Sequence, residues 1–301
     1  MGTRRHIFHS IAALLWLVGA FSCAMKKTPE QSIPTVDNNV CKRLYKEAVM
    51  YCVFVDSKVG GTWSTHDIYS TLDSARLAAN WIEAQAAQRG VDLHIRVEAH
   101  QEKSIVPIRS DLPKGGIVMS VLSPGGAKSL DRWADKAGRQ ALSAFPPDTA
   151  KITRTKIVPK DRERLIARVR DIHRCDAVAL MFFSNGYYNE DASAALHTAS
   201  GTDIEYVAMS FKRPAVIAHE FLHLFGALDL YITPFDSKKA DLRRKEIAMK
   251  EFPTEIMAFP YRSLDSLSIS PFTEYLIGWK KELDPHYLNL ITSKKISVIK
   301  Y

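Results

Sequence analysis

Two histidines and two carboxylates lie in one short segment of the chain, with a spacing that suits a catalytic metal site. His219 and His223 are four residues apart, so at about 100° per residue both imidazoles project from one helix face. Glu220 lies beside them, where it can hold a water on the metal and take its proton. A catalytic zinc keeps three protein ligands and one open position, and Asp229 is the candidate third ligand. Gly226 can adopt the left-handed conformation that ends a helix, which lets the chain turn back towards the metal.

The residues around these groups predict a buried helix. They are apolar almost all round: Ala215, Val216, Ile217, Phe221, Leu222, Leu224 and Phe225. Two histidines and a glutamate inside such a helix would be costly unless each has a partner, and a metal with its bound water satisfies all three. The pattern therefore favours a zinc site over a chance pair of histidines.

The string H-E-x-x-H-x-x-G-x-x-D resembles the metzincin signature with Asp in place of the usual third His. This form is similar to the snapalysin and immune inhibitor A types of secreted bacterial peptidase. The resemblance implies Zn²⁺ bound by His219, His223 and Asp229, with Glu220 as general base. It also implies a protein or peptide substrate, hydrolysed through a metal-activated water.

Metzincins also carry a methionine turn beneath the metal, and the segment Pro253–Ala258 is similar to it. The resemblance implies Met257 as the hydrophobic floor of the site. Several metzincins have a tyrosine two residues after this methionine, but here that position is Phe259. Tyr261 or Tyr231 is then a candidate for a transition-state phenol, and packing after the helix is the alternative for Tyr231.

A gluzincin arrangement is the main alternative within zinc enzymes, because its third ligand is a glutamate on a later helix. A later helix is predicted at Lys239–Lys250. Glu246 within it, or Glu251 at its end, could supply that ligand. The spacing of Gly226 and Asp229 favours the metzincin arrangement.

Periodic and continuous apolar runs predict the elements that hold the site. Strands are predicted at Ala48–Val59, Leu93–Ala99, Gly116–Leu122, Ala177–Phe183 and Asp203–Phe211. Helices are predicted at Asp67–Gln88, Ser129–Phe145, Lys160–Arg174, Lys239–Lys250 and Ser270–Trp279. This order agrees with an α+β, zincin-like (metzincin-type) fold: a mixed twisted sheet, an active-site helix and a smaller C-terminal subdomain.

Zincins bind extended substrate along the edge strand that precedes the active-site helix. The resemblance therefore implies that Tyr206–Ser210 lines the cleft and that Ser184–Thr202 forms its upper rim. His197 in that rim has no partner at ligand spacing and is predicted as a surface residue. The same prediction applies to a further set of histidines: His94, His100 and His173.

The N-terminus has the layout of a secretory signal over residues 1–22, followed by a polar linker or tether over residues 23–40. Arg4 and Arg5 precede the apolar run Ile11–Phe21, which is short for a membrane span. The run ends in a sequence that resembles a bacterial lipoprotein box. Lipid attachment at Cys23, with membrane tethering, and simple cleavage near Ala20 or Ala24 both stay open. We expect an exported protein that is secreted, periplasmic or anchored at the cell surface.

Residues 41–230 are predicted as an N-terminal zincin subdomain and residues 231–301 as a C-terminal subdomain with the methionine turn, together one monomeric catalytic domain. Cys41 and Cys52 could form a disulfide, while Cys175 is expected to be a buried free thiol.

The formal net charge is +8, but the basic residues are scattered and paired with acids. The absence of a basic stripe interleaved with aromatics argues against nucleic-acid binding. The sequence thus predicts a secreted or surface-tethered zinc metalloendopeptidase. Two alternatives remain: a non-catalytic zincin-fold surface binding lipoprotein, and a zinc hydrolase of a non-peptide amide.

Overall fold

The computed structural model describes residues 43–121, 124–146, 160–186, 193–196, 206–232, 239–287 and 290. All of them belong to one compact unit, Pro34–Tyr301. In this part of the chain the strands are β1 (Lys46–Asp56), β2 (Leu93–Ala99), β3 (Ile108–Arg109), β4 (Ala177–Ser184), β5 (Ser193–Leu196) and β6 (Tyr206–Met209). The α-helices are α1 (Thr65–Ala87), α2 (Gly116–Val121), α3 (Pro124–Leu142), α4 (Asp161–His173), α5 (Pro214–Leu224), α6 (Lys239–Glu251) and α7 (Pro271–Leu276).

The strands form one sheet in the order β2-β1-β4-β6-β5, with the short β3 also paired to β1. Every pair is parallel except β5–β6, which is antiparallel. Parallel neighbours need crossover connections: α1 lies between β1 and β2, and α2, α3 and α4 lie between β3 and β4. The prediction of an α+β fold with a mixed sheet is confirmed.

The core lies on both faces of the central strands β1 and β4. Every residue of β4 is buried, which is typical of a strand inside a parallel sheet covered on both faces. On one face α3 and α4 pack against the sheet, where the rings of Trp133 and Tyr206 lie 5.5 and 6.0 Å from that of Phe182. Strand side chains alternate between faces, so the intervening residues of β1 and β4 face α1 and α5.

Most predicted elements are confirmed with small shifts of their ends. The predicted strand Leu93–Ala99 coincides with β2, and Ala177–Phe183 lies within β4. Ser64 begins α1 by accepting a hydrogen bond from the Asp67 amide at 3.1 Å. Gly90, with φ of +67°, follows the end of α1 and permits the left-handed turn into β2.

The strand predicted at Gly116–Leu122 is wrong, because the structure has α2 there. The Ser120 hydroxyl donates to the Gly116 carbonyl one helical turn earlier, at 2.7 Å. Gly126 in α3 approaches α2 so closely that a Cβ there would lie 2.6 Å from the Ser120 carbonyl oxygen. A short apolar run has no period that distinguishes strand from helix, and this packing between α2 and α3 decides the outcome.

The prediction that the strand preceding α5 forms the sheet edge is also wrong. β6 lies between β4 and β5, and Tyr206–Ser210 is buried. The outer strand is β5, within the segment predicted as a rim. Its sequence Ser-Ala-Ala-Leu has no alternation or β-branched residues, so it gives no strand signal.

Several predictions concern residues outside the described part of the chain: the signal segment 1–22, Cys23, the tether 23–40, Cys41 and His197. Cys52 is a free thiol, fully buried in β1, so the possible disulfide with Cys41 is not formed. Burial raises the pKa of the Cys52 thiol to about 12. Cys175 is also free and buried, as predicted. Among the described helices, none combines the length and the apolar character that a bilayer span requires.

Candidate metal centre

The helix α5 carries the two histidines and is buried along its length. It begins after Arg213, whose backbone is extended, with Pro214 in the first turn, where the missing amide hydrogen costs nothing. Every residue from Ala215 to Leu224 is buried. The predicted buried helix is confirmed.

Three side chains converge at the C-terminal end of α5. His219 Nε2 and His223 Nε2 lie 3.0 Å apart. Asp229 Oδ1 lies 3.2 Å from His219 Nε2 and 3.1 Å from His223 Nε2. The histidine side chains are 2% and 7% exposed, whereas that of Asp229 is 31% exposed. The cluster therefore reaches the surface on the Asp229 side.

Backbone carbonyls fix both imidazole rings. His219 Nδ1 lies 3.2 Å from the Ile256 carbonyl oxygen, and His223 Nδ1 lies 2.7 Å from that of Ala227. Because a carbonyl oxygen can only accept, both Nδ1 atoms carry the hydrogen. Nε2 of each ring is then directed towards the cluster, as in metal-binding histidines, and can bind a metal once any proton on it is lost.

Gly226 brings Asp229 back to the helix. Its φ is +101°, and its amide donates to the His223 carbonyl at 3.0 Å. The next amide, that of Ala227, donates to the Leu222 carbonyl at 3.2 Å, which closes the end of the helix. The predicted reversal of the chain at this glycine is confirmed.

The charges of the cluster shift two pKa values in opposite directions. Burial lowers the pKa of His223, but the nearby Asp229 carboxylate outweighs it and raises that pKa to about 9. Burial raises the pKa of Asp229, but the two imidazoles together hold it well below its usual value. The cluster is therefore a place where positive charge is stabilised.

The donor set fits a zinc ion in type and spacing. Two imidazole nitrogens and one carboxylate oxygen are ordinary zinc ligands, and ligands about 2.0–2.2 Å from a tetrahedral ion lie about 3.3–3.5 Å apart. The separations among the three atoms, 3.0 to 3.2 Å, are a few tenths of an ångström shorter. Binding of zinc would therefore require the three side chains to move apart by that amount. In the described residues this is the group of His, Cys, Asp and Glu side chains that could hold a metal.

Glu220 lies at the same cluster. It is 5% exposed, and its negative charge contributes to raising the pKa of both His223 and Tyr231. Its carboxylate makes no hydrogen bond within the described part of the chain. A buried carboxylate that acts electrostatically on His223 can accept and return a proton.

The two candidate phenols differ in their contacts and their exposure. The Tyr231 ring lies 5.9 Å from that of His219. Burial and the Asp229 and Glu220 carboxylates raise its pKa, so both acids are close to the phenol. Tyr261 is 60% exposed, and its ring packs 5.9 Å from that of Phe211. Tyr231 is thus the phenol with a direct contact to a histidine of the cluster.

The predicted methionine turn lies against the cluster. Met257 is fully buried, and its carbonyl accepts the Leu230 amide at 3.0 Å, one residue after Asp229. Ile256, the preceding residue, supplies the carbonyl that orients His219. Phe259 stacks under the Arg262 guanidinium, which lies 3.8 Å from the ring centroid.

The alternative third ligands do not join the cluster. Glu251 Oε1 pairs with His286 Nε2 at 2.8 Å, and Glu246 is exposed. His94 and His173 pair with nearby glutamates: Glu83 and Glu98. His100, predicted on the surface, is only 3% exposed, so that prediction is wrong. His100 follows β2 directly and pairs with the buried Tyr51. Its neighbours in sequence do not indicate this burial.

Two supports of the site have no signal in the sequence. The carbonyls of Ala227 and Ile256 orient the histidines, but a backbone group is the same at every residue. Glu255, buried directly before Ile256, does have a signal in the sequence: it is a charge in front of the apolar segment Ile256–Ala258.

Comparison with known proteins gives no counterpart. No protein-family model matches this chain, and neither a curated protein nor a solved structure matches it.

Proposed function

We propose that this chain is a zinc-dependent endopeptidase of the metzincin type. The observation that supports it most is the convergence of His219 Nε2, His223 Nε2 and Asp229 Oδ1 to within 3.2 Å of one another. The return of the chain at Gly226 and the turn at Met257 favour a metzincin-type, zincin-like arrangement over one with a glutamate ligand. A cluster open to the surface on one side is also what a catalytic site needs, since substrate must reach it.

In this proposal zinc would polarise the scissile carbonyl and lower the pKa of the attacking water. Glu220 takes the proton of that water as the new C–O bond forms, and delivers it to the leaving amine nitrogen as the C–N bond breaks. Burial of Glu220 strengthens this role, because electrostatic interactions are stronger where water is excluded. The carbonyls behind His219 and His223 keep both rings in place during turnover.

The proposed substrate is a peptide in extended conformation. β5 is the outer strand of the sheet on the side of α5 and runs antiparallel to β6. Among the described residues β5 pairs on one side only, so its other edge could add a further strand through main-chain hydrogen bonds, which would hold the peptide without regard to most side chains. Export, and attachment through Cys23, belong to the proposal on the grounds of the N-terminal sequence alone.

The test is hydrolysis of a quenched, unfolded protein substrate by the full-length chain. We expect cleavage that a chelator abolishes and that added Zn²⁺ restores. Glu220→Ala should bind zinc like the wild type and lose at least about 100-fold in kcat/KM, since it removes the general base and leaves the three ligands.

Glu246→Gln is the matched control, because it removes an exposed carboxylate that lies outside the cluster. Its activity should stay within about 2-fold of the wild type. Stoichiometric zinc without cleavage of any unfolded protein would contradict the endopeptidase proposal. Hydrolysis of a non-peptide amide or a binding role would then be the hypotheses to pursue.

A further inference from the structure

Glu255 is a buried carboxylate at the methionine turn that the proposed reaction does not use. It is 0% exposed, in a chain segment whose neighbours Ile256 and Met257 are equally buried. A carboxylate in such a place is costly unless hydrogen bonds compensate it, so its contacts indicate what it does.

The two carboxylate oxygens of Glu255 join two separate stretches of chain. Oε1 accepts from the Met257 amide at 3.1 Å and from the Thr273 hydroxyl at 3.3 Å. Oε2 accepts from the Ser270 amide. Burial raises the pKa of Glu255, whereas these hydrogen bonds favour its charged form. One side chain thus holds the methionine turn to the first turn of α7.

The far side of this clamp is anchored to α1. Gln85 Oε1 accepts from the Ile269 amide at 3.2 Å. The Arg89 guanidinium donates to the Ile269 carbonyl and pairs with Glu274. Residues 269 and 270 are therefore fixed by a long helix packed on the sheet, so Glu255 ties the turn to a rigid part of the molecule.

The near side of the clamp holds the metal cluster. Ile256 lies between Glu255 and Met257, and its carbonyl is the group that orients His219, at 3.2 Å from Nδ1. The Met257 carbonyl holds the Leu230 amide, next to Asp229. Two of the three proposed ligands thus depend on the backbone of residues 256 and 257.

We propose that Glu255 is a positioning residue: by clamping the methionine turn to α7 it fixes the Ile256 carbonyl against His219 and so raises the zinc affinity of the cluster. This inference rests on the proposed zinc site. It assigns Glu255 no contact with metal or substrate.

The test is the zinc affinity of Glu255→Gln in the full-length protein, measured by competition with a chelator. The amide has the shape of the carboxylate, but whichever way it is turned its NH₂ group meets an N–H donor, at Met257 or at Ser270. The turn must then shift, and we expect zinc affinity to fall about 10- to 100-fold, as for other groups that orient metal ligands. The visible spectrum of the Co²⁺ form should change as well.

Glu98→Gln is the matched control. Glu98 is a carboxylate of β2 that is 17% exposed, and its partner is His173 on α4, outside the clamp. It should lower thermal stability while zinc affinity stays within about 3-fold. An unchanged affinity in Glu255→Gln, or an equal loss in both variants, would overturn the inference.

Two outcomes keep the inference separate from the proposed function. A wild-type protein that binds no zinc at micromolar concentration would refute the proposed metal site itself. If Glu255→Gln does not fold, Thr273→Val tests the same clamp by removing one donor to Oε1 with little change in shape. We expect an affinity loss of about 3-fold or more there, and no loss would overturn the inference.

Discussion

The cluster of His219, His223 and Asp229 and the Tyr51–His100 pair both bury imidazole rings, but they shift the imidazole pKa in opposite directions. His100 Nδ1 pairs with the Tyr51 hydroxyl at 2.9 Å, and Nε2 is buried with no hydrogen-bond partner in the described residues. Burial lowers the pKa of His100 to about 4. In the cluster Asp229 outweighs burial and raises the pKa of His223 to about 9.

The comparison teaches what allows a buried histidine to carry positive charge. Burial alone keeps the ring neutral, as at His100, and such a ring is a core residue. At His223 a carboxylate lies against Nε2, while a backbone carbonyl holds Nδ1. The charged form of His223 is therefore favoured by the Asp229 carboxylate at Nε2 together with the Ala227 carbonyl at Nδ1.

The largest expected effect is on zinc affinity, which should depend on His223 and not on His100. His223→Asn removes one of three ligands, so we expect zinc affinity to fall at least about 1,000-fold. His100→Asn, far from the cluster in the fold, should leave affinity within about 3-fold. Isothermal titration or chelator competition measures both. Equal losses in the two variants would contradict the comparison.

The second effect is on stability at acid pH. Because the folded pKa of His100 is about 4 and its ordinary value is 6.5, the unfolded chain binds the extra proton between these values. Stability should therefore fall as pH drops from about 6.5 to about 4, with His100 contributing about 3 kcal/mol of the loss. His100→Asn should remove that part of the slope in denaturant titrations.

His66→Asn is the control for this measurement, because it removes an exposed histidine on α1. Its stability should follow the wild-type pH dependence closely. A His100→Asn slope identical to that of the wild type would mean that His100 titrates normally in the folded protein.

The third effect is on zinc binding by the cluster, where the histidine pKa is raised and not lowered. Below about pH 9 the zinc-free protein holds a proton on His223 that zinc must displace. Zinc affinity should therefore rise about 10-fold per pH unit between pH 7 and about 9, and level off above it. Chelator competition, corrected for titration of the chelator, measures this. A flat profile over this range would argue that Asp229 does not raise the pKa of His223.

The smallest expected effect concerns the phenol beside the cluster. Tyr231→Phe should lower kcat about 10-fold with little change in KM, because a nearby donor stabilises charge that develops in the transition state. Tyr261→Phe should stay within about 2-fold, since that side chain is largely exposed. The reverse pattern would assign the phenol to Tyr261.

The site was more predictable from sequence than its surroundings. The spacing of His219, His223, Gly226 and Asp229 uses a period and a turn that are properties of the local chain, and the structure brings these side chains together. The burial of His100 could not be predicted, because it depends on how β1 and β2 pair and not on its neighbours in sequence.

Long-range packing also explains the two errors in the fold. α2 is a helix because α3 packs against it at Gly126, and nothing within Gly116–Val121 selects a helix by itself. β5 is the sheet edge because it pairs antiparallel to β6, although its four residues lack strand-forming side chains. Short elements follow their tertiary partners, whereas longer elements such as α1 and β4 are set by their own pattern.

The most direct test of the metal centre is anomalous diffraction at the zinc absorption edge, on crystals of the zinc-loaded protein. The account predicts one peak about 2.0–2.2 Å from His219 Nε2, His223 Nε2 and Asp229 Oδ1, with Glu220 outside the ligand set. No anomalous peak at this cluster, or a zinc held there by Glu246 or Glu251 in place of Asp229, would contradict it.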